Sequence, residues 1–268
     1  MLLAIDSGNT NTVFAILDGE KILHKWRIST ANARTADEYM VWISQLMGLA
    51  KLSPTEIDGA IIATVVPPTL FQLRLLCKRY FSVEPIVVGE EDVELGIRVQ
   101  VTNPNEVGAD RLVNAVAGYQ AYKGPLIIID FGTATSFDVV SERGEYLGGV
   151  IAPGINLSIE ALNRAAAKLP QIAVEVPRQG KVIGKSTIEA MQSGVMWGYV
   201  GLLEGMVDRI TAEYGKAMNV VATGGLAVVF ETQSQVIDHV DTDLTLRGLS
   251  IIHALHQNSL TPQSIRSA

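Results

Sequence analysis

The stretch Asp6-Ser7-Gly8-Asn9-Thr10-Asn11-Thr12 follows the apolar run Leu2-Leu3-Ala4-Ile5, and Asp130-Phe131-Gly132-Thr133-Ala134-Thr135-Ser136 follows Leu126-Ile127-Ile128-Ile129. Each copy leads into a second strand-like run, Val13-Phe14-Ala15-Ile16-Leu17 or Phe137-Asp138-Val139-Val140. A turn comes next, Asp18-Gly19-Glu20 or Glu142-Arg143-Gly144, and then a third extended segment. One copy alone would read as the turn of a β-hairpin. Two copies with matching flanks, about 124 residues apart, read as two halves built on one plan.

The residue types in this loop suit a phosphate. An Asp at the end of a buried strand can hold a hydrated cation, and a Gly lets the backbone approach a phosphoryl group closely. Small hydroxyl and amide side chains donate hydrogen bonds to its oxygens. The pattern is equipment for handling ATP.

Composition narrows the class. A chain of 268 residues with 48% apolar content can fill two packed cores, in keeping with the repeat. The net charge of −7, with no basic run longer than Lys78-Arg79, excludes a nucleic-acid surface and points to a small-molecule partner. No apolar run approaches the roughly 18 residues that span a bilayer, and the start of the chain lacks a basic segment, so a cytoplasmic protein is expected. Cys77, the only cysteine, lies in Leu73-Arg74-Leu75-Leu76-Cys77 and reads as a buried structural thiol.

Around the loops the pattern is β-β-β-α-β-α-β in each half. Strands are predicted near 2–6, 12–18, 22–29, 59–64 and 85–88 in the first half. Helices are predicted after the capping box Thr35-Ala36-Asp37-Glu38 and from about Thr69 to Tyr80, beyond a break at Pro67-Pro68. The second half gives strands near 126–130, 136–140, 146–151 and 219–223 and helices near 155–168 and 187–214. The fold class is therefore α/β: two domains, each a mixed sheet flanked by helices, with an antiparallel hairpin at the edge of a mostly parallel sheet. The halves are expected at 1–117 and 118–260, a phosphate loop on each wall of the cleft between them, with 261–268 a disordered tail. A further helix begins with Gly108-Ala109-Asp110-Arg111, which places a carboxylate and a guanidinium near a positive helix end and can serve as the hinge.

The ordered set Asp6-x-Gly8-Asn9-Thr10-Asn11-Thr12, Gly108-Ala109-Asp110-Arg111, Asp130-x-Gly132-Thr133-Ala134-Thr135, Gly148-Gly149-x-Ile151-x-Pro153-Gly154 and Thr223-Gly224-Gly225 resembles type III pantothenate kinases over residues 1 to about 258. The resemblance implies two ribonuclease-H-like domains of the actin-like ATPase superfamily and a homodimer. It implies phosphorylation of pantothenate by ATP to 4'-phosphopantothenate, the first step of coenzyme A biosynthesis, with Mg2+ and a monovalent cation, K+ or NH4+. It assigns ATP binding to Asp6, Ser7, Gly8, Asn9, Thr10, Asn11, Thr12, Val13 and Thr133, with Gly224 and Gly225 at the adenosine. It assigns pantothenate to Gly108, Ala109, Asp110, Arg111 and Thr187, the proton acceptor to Asp110, and the monovalent cation to Asp130. Asp6 would reach Mg2+ through water.

The roles make chemical sense. Phosphoryl transfer needs positioned in-line oxygens and charge neutralisation, with a carboxylate to orient the hydroxyl and accept its proton. Arg111 offers a fork matched to a carboxylate. Two departures stand out: Val101-Thr102 occupies the place where the family often has Tyr-Asp, and Ser136 stands where it often has Thr.

Three rival readings meet specific obstacles. Gly180-Lys181-Val182-Ile183-Gly184-Lys185-Ser186 looks like a Walker A loop but has three residues between its glycines where four are required. A sugar or acetate kinase of the same superfamily would need room for a larger substrate domain. A non-catalytic ATP-binding regulator would have no need of Asp110. The long helix 187–214 carries Met191, Val195, Met196, Tyr199, Leu202 and Leu203, more apolar faces than one packing would use, and a partner subunit is expected to cover part of it.

Overall fold

The computed structural model describes residues 1–165, 169–177 and 180–260. In chain order the first elements are β1 (Leu2–Ser7), β2 (Asn11–Asp18), β3 (Lys21–Ser29), α1 (Ala36–Leu49), β4 (Gly59–Thr64), α2 (Pro67–Leu76), β5 (Ile86–Val87), β6 (Arg98–Val99) and α3 (Ala109–Tyr122). There follow β7 (Leu126–Phe131), β8 (Ala134–Val140), β9 (Glu145–Pro153), α4 (Ile155–Ala165), α5 (Thr187–Tyr214), β10 (Asn219–Gly224), α6 (Ala227–Glu231), β11 (His239–Val240) and α7 (Leu244–Leu260). The chain divides into two compact units, Met1–Ala121 with Asp243–Ala268, and Tyr122–Thr242.

Within the first unit the strand order is β3-β2-β1-β4-β5. β1 pairs antiparallel with β2, β2 antiparallel with β3, and β1 and β5 flank β4 in parallel. The second unit repeats this arrangement as β9-β8-β7-β10-β11. The alternation of strand side chains decides what each face of the first sheet meets. Leu3 and Ile5 of β1, with Phe14 and Ile16 of β2, pack against Tyr39, Ile43 and Met47 of α1 and Leu73 and Leu76 of α2. Leu2 and Ala4, with Ala15 and Leu17, face Val113 and Val116 of α3 and Leu246, Leu249 and Ile252 of α7. Both faces are covered, which explains why β1 reads as an unbroken apolar run. In the second unit Ile127, Ile129 and Phe137 pack against α4, α5 and α6 through Ile159, Met196, Leu203 and Phe230.

Three expectations change. α7, assigned by its position in the chain to the second half, packs on the first sheet, and the first unit runs to Ala121 rather than residue 117. A bare backbone makes the α7 contact: a Cβ on Gly248 would lie 2.3 Å from the Val113 carbonyl oxygen of α3. α2 begins at Pro67 rather than beyond the two prolines, because the first helical positions need no intrahelical N–H donor. The apolar residues of α5 are taken up largely by its own unit, with Val195 and Leu202 packed against the core that holds Met196, Tyr199 and Leu203. The expected tail, 261–268, lies outside the described residues.

The capping box at α1 forms: Thr35 Oγ1 accepts from Glu38 N–H and the Glu38 carboxylate accepts from Thr35 N–H at 2.8 Å. Cys77 is fully buried, and burial pushes its thiol up to about 12.

Candidate active site

The two loops look alike in sequence but close differently. In the first, Ser7 pairs with Thr12, leaving residues 8–11 as the loop. In the second, Phe131 pairs with Thr135, leaving residues 132–134. Thr12 therefore corresponds to Thr135, one residue earlier than a simple alignment of the two stretches suggests. Both loops lie at the carboxyl ends of parallel strands, where open α/β sheets bind ligands.

Strand alternation fixes which loop side chains point outward. Ser7 and Thr12 continue the face of Leu3, Ile5, Phe14 and Ile16, and both are fully buried. Ser7 Oγ lies 3.2 Å from Thr12 Oγ1 and 3.1 Å from Thr69 Oγ1, and Thr12 Oγ1 lies 2.9 Å from Thr30 Oγ1. The expected ATP contacts of Ser7 and Thr12 are thus not side-chain contacts; their hydroxyls hold the loop from behind. Asn9 and Thr10 are exposed, Gly8 and Asn11 half-buried. Asp6 and Val13 face the opposite side of β1 and β2, toward the packing surface of α3.

The turn preceding α3 adjoins this loop. The Val65 N–H donates to the Ser7 carbonyl at 3.2 Å, and a Cβ on Gly108 would lie 3.3 Å from Val65 Cγ1. The same Cβ would lie 2.6 Å from Asp110 Oδ1, so a side chain here would displace the Asp110 carboxylate from its place over the turn. Asp110 Oδ1 accepts from the Arg111 N–H at 2.8 Å. Burial pushes the Asp110 carboxyl above its ordinary value, outweighing the opposing pull of the Arg111 N–H and the Arg111 charge. Gly108, Ala109, Asp110 and Arg111 therefore form one compact turn in the first unit, beside the first loop.

The second unit gathers Asp130, Thr133 and Gly224. Gly224, at φ +90°, pairs with Phe131, and a Cβ there would lie 2.7 Å from Asp130 Oδ1. The bare backbone of Gly224 leaves room against the Asp130 carboxylate, a cradle that a side chain would fill. Gly154, directly after β9, is tighter still: its Cβ would lie 2.1 Å from the Thr133 carbonyl oxygen. Thr133 and Gly225 are exposed. Ser136 Oγ donates to Asp138 at 3.1 Å, so its hydroxyl serves the sheet interior. Thr135 meets Tyr199 at 3.0 Å, and the Tyr199 hydroxyl in turn donates to the Pro153 carbonyl.

Thr187 is the first residue of α5 and exposed. Ser186 caps that helix by accepting from Glu189 N–H, while the Glu189 carboxylate accepts from Lys185 N–H at 2.7 Å, one residue earlier than a standard capping box. A Cβ on Gly184 would lie 2.3 Å from Ala190 N. The Walker-like stretch thus closes onto the first turn of α5 and forms its cap, with 178–179 outside the described residues.

Thr30 and Thr69 were not among the residues singled out from the sequence, and Tyr199 was singled out only for its place on the apolar helix 187–214. Thr30 directly follows β3, as Gly154 follows β9, and the repeat itself could have flagged that pair.

Two units, each with three hairpin-linked strands followed by helices and two parallel strands, and each with a loop at the end of its first strand, match the actin-like ATPase and sugar kinase fold. An inorganic polyphosphate/ATP-glucomannokinase from Arthrobacter sp. strain KM shares it, with a TM-score of 0.50 at 14% identity over 95% of this chain and 98% of that one. A Campylobacter jejuni structure described as a Baf family transcriptional activator superposes with a TM-score of 0.60 at 20% identity, covering 96% and 99% of the two chains. Within that fold, the chain belongs to the type III pantothenate kinase family, whose model matches residues 2–209. The type III pantothenate kinase of Rhodospirillum rubrum is 60% identical over 257 residues, 96% of this chain and 99% of that protein.

Proposed function

We propose that this chain transfers the terminal phosphoryl group of ATP to the primary hydroxyl of pantothenate, giving 4'-phosphopantothenate and ADP as the first step of coenzyme A biosynthesis. Family membership supports the reaction, and one observation carries the residue assignment. The turn bearing Asp110 packs on Val65, which is hydrogen-bonded to the strand end that opens the first loop. Acceptor and donor sites of a direct transfer have to adjoin in this way.

In the proposed step the pantothenate hydroxyl oxygen forms the new bond to phosphorus, the bond from phosphorus to the β,γ-bridging oxygen breaks, and ADP leaves with that electron pair. Asp110 accepts the hydroxyl proton. Its desolvation makes it a better proton acceptor than an ordinary aspartate, as long as it is ionised. Arg111 supplies a fixed positive charge beside it for the pantothenate carboxylate. Residues 8–11 present exposed backbone and side chains suited to phosphate oxygens, and Thr133, in its own unit, presents an exposed hydroxyl of the same kind.

Asp6, half-buried at the end of β1, suits a hydrated Mg2+, and Asp130 in the space left by Gly224 suits a monovalent cation. When bound, these ions supply positive charge against the triphosphate. Gly224 and Gly225 offer a flat backbone for the adenosine, and Thr187 a hydroxyl for pantothenate.

A homodimer is proposed as well, resting on apolar side chains exposed on the second unit, Ile151, Val182, Ile183 and Ile188 among them. No helix among the described residues is long and apolar enough to cross a membrane. With ATP as phosphoryl donor and a free buried thiol at Cys77, we place the activity in the cytoplasm.

The test is ADP release by purified protein with ATP, Mg2+ and K+, with and without millimolar pantothenate. Pantothenate-dependent release is expected. Its absence in folded protein, or its appearance only with another alcohol, would refute the assignment.

A further inference from the structure

The loop at residues 8–11 carries no disulfide or proline to fix its shape, yet a phosphate cradle has to be set before the ligand arrives. Within the loop the Gly8 N–H donates to the Asn11 carbonyl at 3.0 Å, and the remaining restraint comes from outside it. Thr30 follows the last residue of β3, and it makes three contacts with the loop and its strand. Its N–H donates to the Thr10 carbonyl at 3.0 Å. Its hydroxyl donates to the Gly8 carbonyl at 2.7 Å. Its Oγ1 also lies 2.9 Å from Thr12 Oγ1.

The direction of these bonds follows from counting protons. Thr30 has one hydroxyl hydrogen, and it goes to the Gly8 carbonyl. The contact between Thr12 and Thr30 must then be donated by Thr12, and the contact between Ser7 and Thr12 by Ser7. Ser7 has then spent its hydrogen, and Thr69, with one hydrogen of its own, can donate to the Val66 carbonyl or to Ser7 Oγ but not to both. The result is a one-way run of buried hydroxyls from β1 through β2 to Thr30, ending on a loop carbonyl. Such runs strengthen each member by polarisation.

The consequence for the ligand comes from the peptide plane. In a trans peptide the carbonyl of one residue and the N–H of the next point to opposite sides. Holding the Gly8 carbonyl toward Thr30 therefore turns the N–H of Asn9, an exposed residue, away from Thr30. We infer that Thr30 is a positioning residue for nucleotide binding, acting by pinning the Gly8 and Thr10 carbonyls so that the first loop presents its backbone donors to the ATP phosphates. The inference rests on the proposed reading of this loop as the phosphate site.

The test compares Thr30→Val, which keeps the shape and the backbone bond but loses the hydroxyl, with Thr30→Ser, which restores it. Equilibrium binding of Mg·ATP and steady-state kinetics are measured at a temperature where thermal melts show each variant folded. Thr30→Val should weaken Mg·ATP binding roughly three- to tenfold, the range for one lost hydrogen bond. It should raise the KM for ATP by a similar factor and leave kcat and pantothenate affinity within about twofold. Thr30→Ser should recover most of the loss. A merely structural role would lower the melting temperature without separating KM from kcat. Unchanged ATP affinity in Thr30→Val, or no recovery in Thr30→Ser, would overturn the inference. Gly8→Val separates the two levels. If it leaves ATP affinity unchanged, the loop is not the phosphate site and the role of Thr30 falls with it. If it weakens binding while Thr30→Val does not, only the role of Thr30 fails.

Discussion

The two loops proposed to hold phosphate share a plan and differ in what stands behind them. The first, residues 8–11, is backed by side chains: Ser7, Thr12, Thr30 and Thr69 form a hydroxyl network, and Thr30 reaches two loop carbonyls. The second, residues 132–134, is one residue shorter and lies on bare backbone, with Gly154 where the first unit has Thr30. One unit thus fixes its loop by hydrogen bonds that a conservative substitution can remove singly. The other adds to the Thr135 and Tyr199 hydroxyls a backbone contact at Gly154 that a side chain would disrupt. The first unit also places a desolvated carboxylate, Asp110, beside its loop, and the chemistry is proposed to lie there.

The largest effect is expected at that carboxylate. Asp110→Asn keeps the acceptor for the Arg111 N–H but cannot take a proton, so kcat should fall by about 10² to 10⁴ with Mg·ATP affinity nearly unchanged. Activity within threefold of the parent would give Asp110 another role. The raised carboxyl pKa also has a signed consequence for stability. The native state holds its proton more tightly than the unfolded chain, so this contribution is present below the ordinary value of 3.8 and is lost as pH rises through the folded value. At neutral pH the ionised, desolvated carboxylate is a liability, and Asp110→Asn should melt at a higher temperature than the parent. The gap should close toward pH 3.8 and below. In the parent, the acid limb of kcat/KM for pantothenate should lie above the usual aspartate range, since the base must be ionised.

Gly154→Ala comes next. Its Cβ would meet the Thr133 carbonyl oxygen at 2.1 Å, and backbone has to move to admit it. Urea unfolding should show a loss of about 1–3 kcal/mol, the cost of overpacking, with at least a tenfold drop in kcat/KM for ATP. Thr30→Ala, at the matching place in the first unit, should cost less on both measures. Equal losses would break the contrast between the loops.

Gly224→Ala tests the cradle beside Asp130. The added methyl would press on Asp130 Oδ1 and the Phe131 carbonyl at a positive φ that disfavours alanine. The K+ concentration giving half-maximal thermal stabilisation should rise severalfold, and Asp130→Ala should abolish the K+ response. A parent protein melting identically in K+ and in a bulky organic cation would remove the cation assignment. The smallest change is expected for Gly8→Ala. The nearest atom to its Cβ is the Asn11 carbonyl oxygen at 3.4 Å, so stability should stay within about 0.5 kcal/mol of the parent. A large loss there would mean that the first loop is packed as tightly as the second.

Much of this was legible before any coordinates. The strand runs, the capping box at Thr35 and the repeat indicated the strands and helices along the chain and the hairpin at the sheet edge, because buried strands and capped helix starts are local signals. The inward turn of Ser7 and Thr12 was missed, although period two puts them on the face of Ile5 and Phe14. The one-residue difference between the loops was not legible, because a hairpin register is set by pairing across strands rather than by loop composition. α7 could not be assigned to the first sheet from its apolar face, which would suit either unit; Gly248 against Val113 decides it only in three dimensions. Thr30 carries no periodic signal at all. Its role appears only when the end of β3 is brought beside residues 8–11.

The most direct measurement is a single turnover with γ-labelled ATP and saturating pantothenate, quenched on the millisecond scale, in the parent and in Asp110→Asn with binding of both substrates verified. The parent should place the label on pantothenate in step with ADP formation, and the variant should do so at least about a hundredfold more slowly. Label released as inorganic phosphate, or transferred equally fast by the variant, would contradict direct transfer to pantothenate with Asp110 as the base.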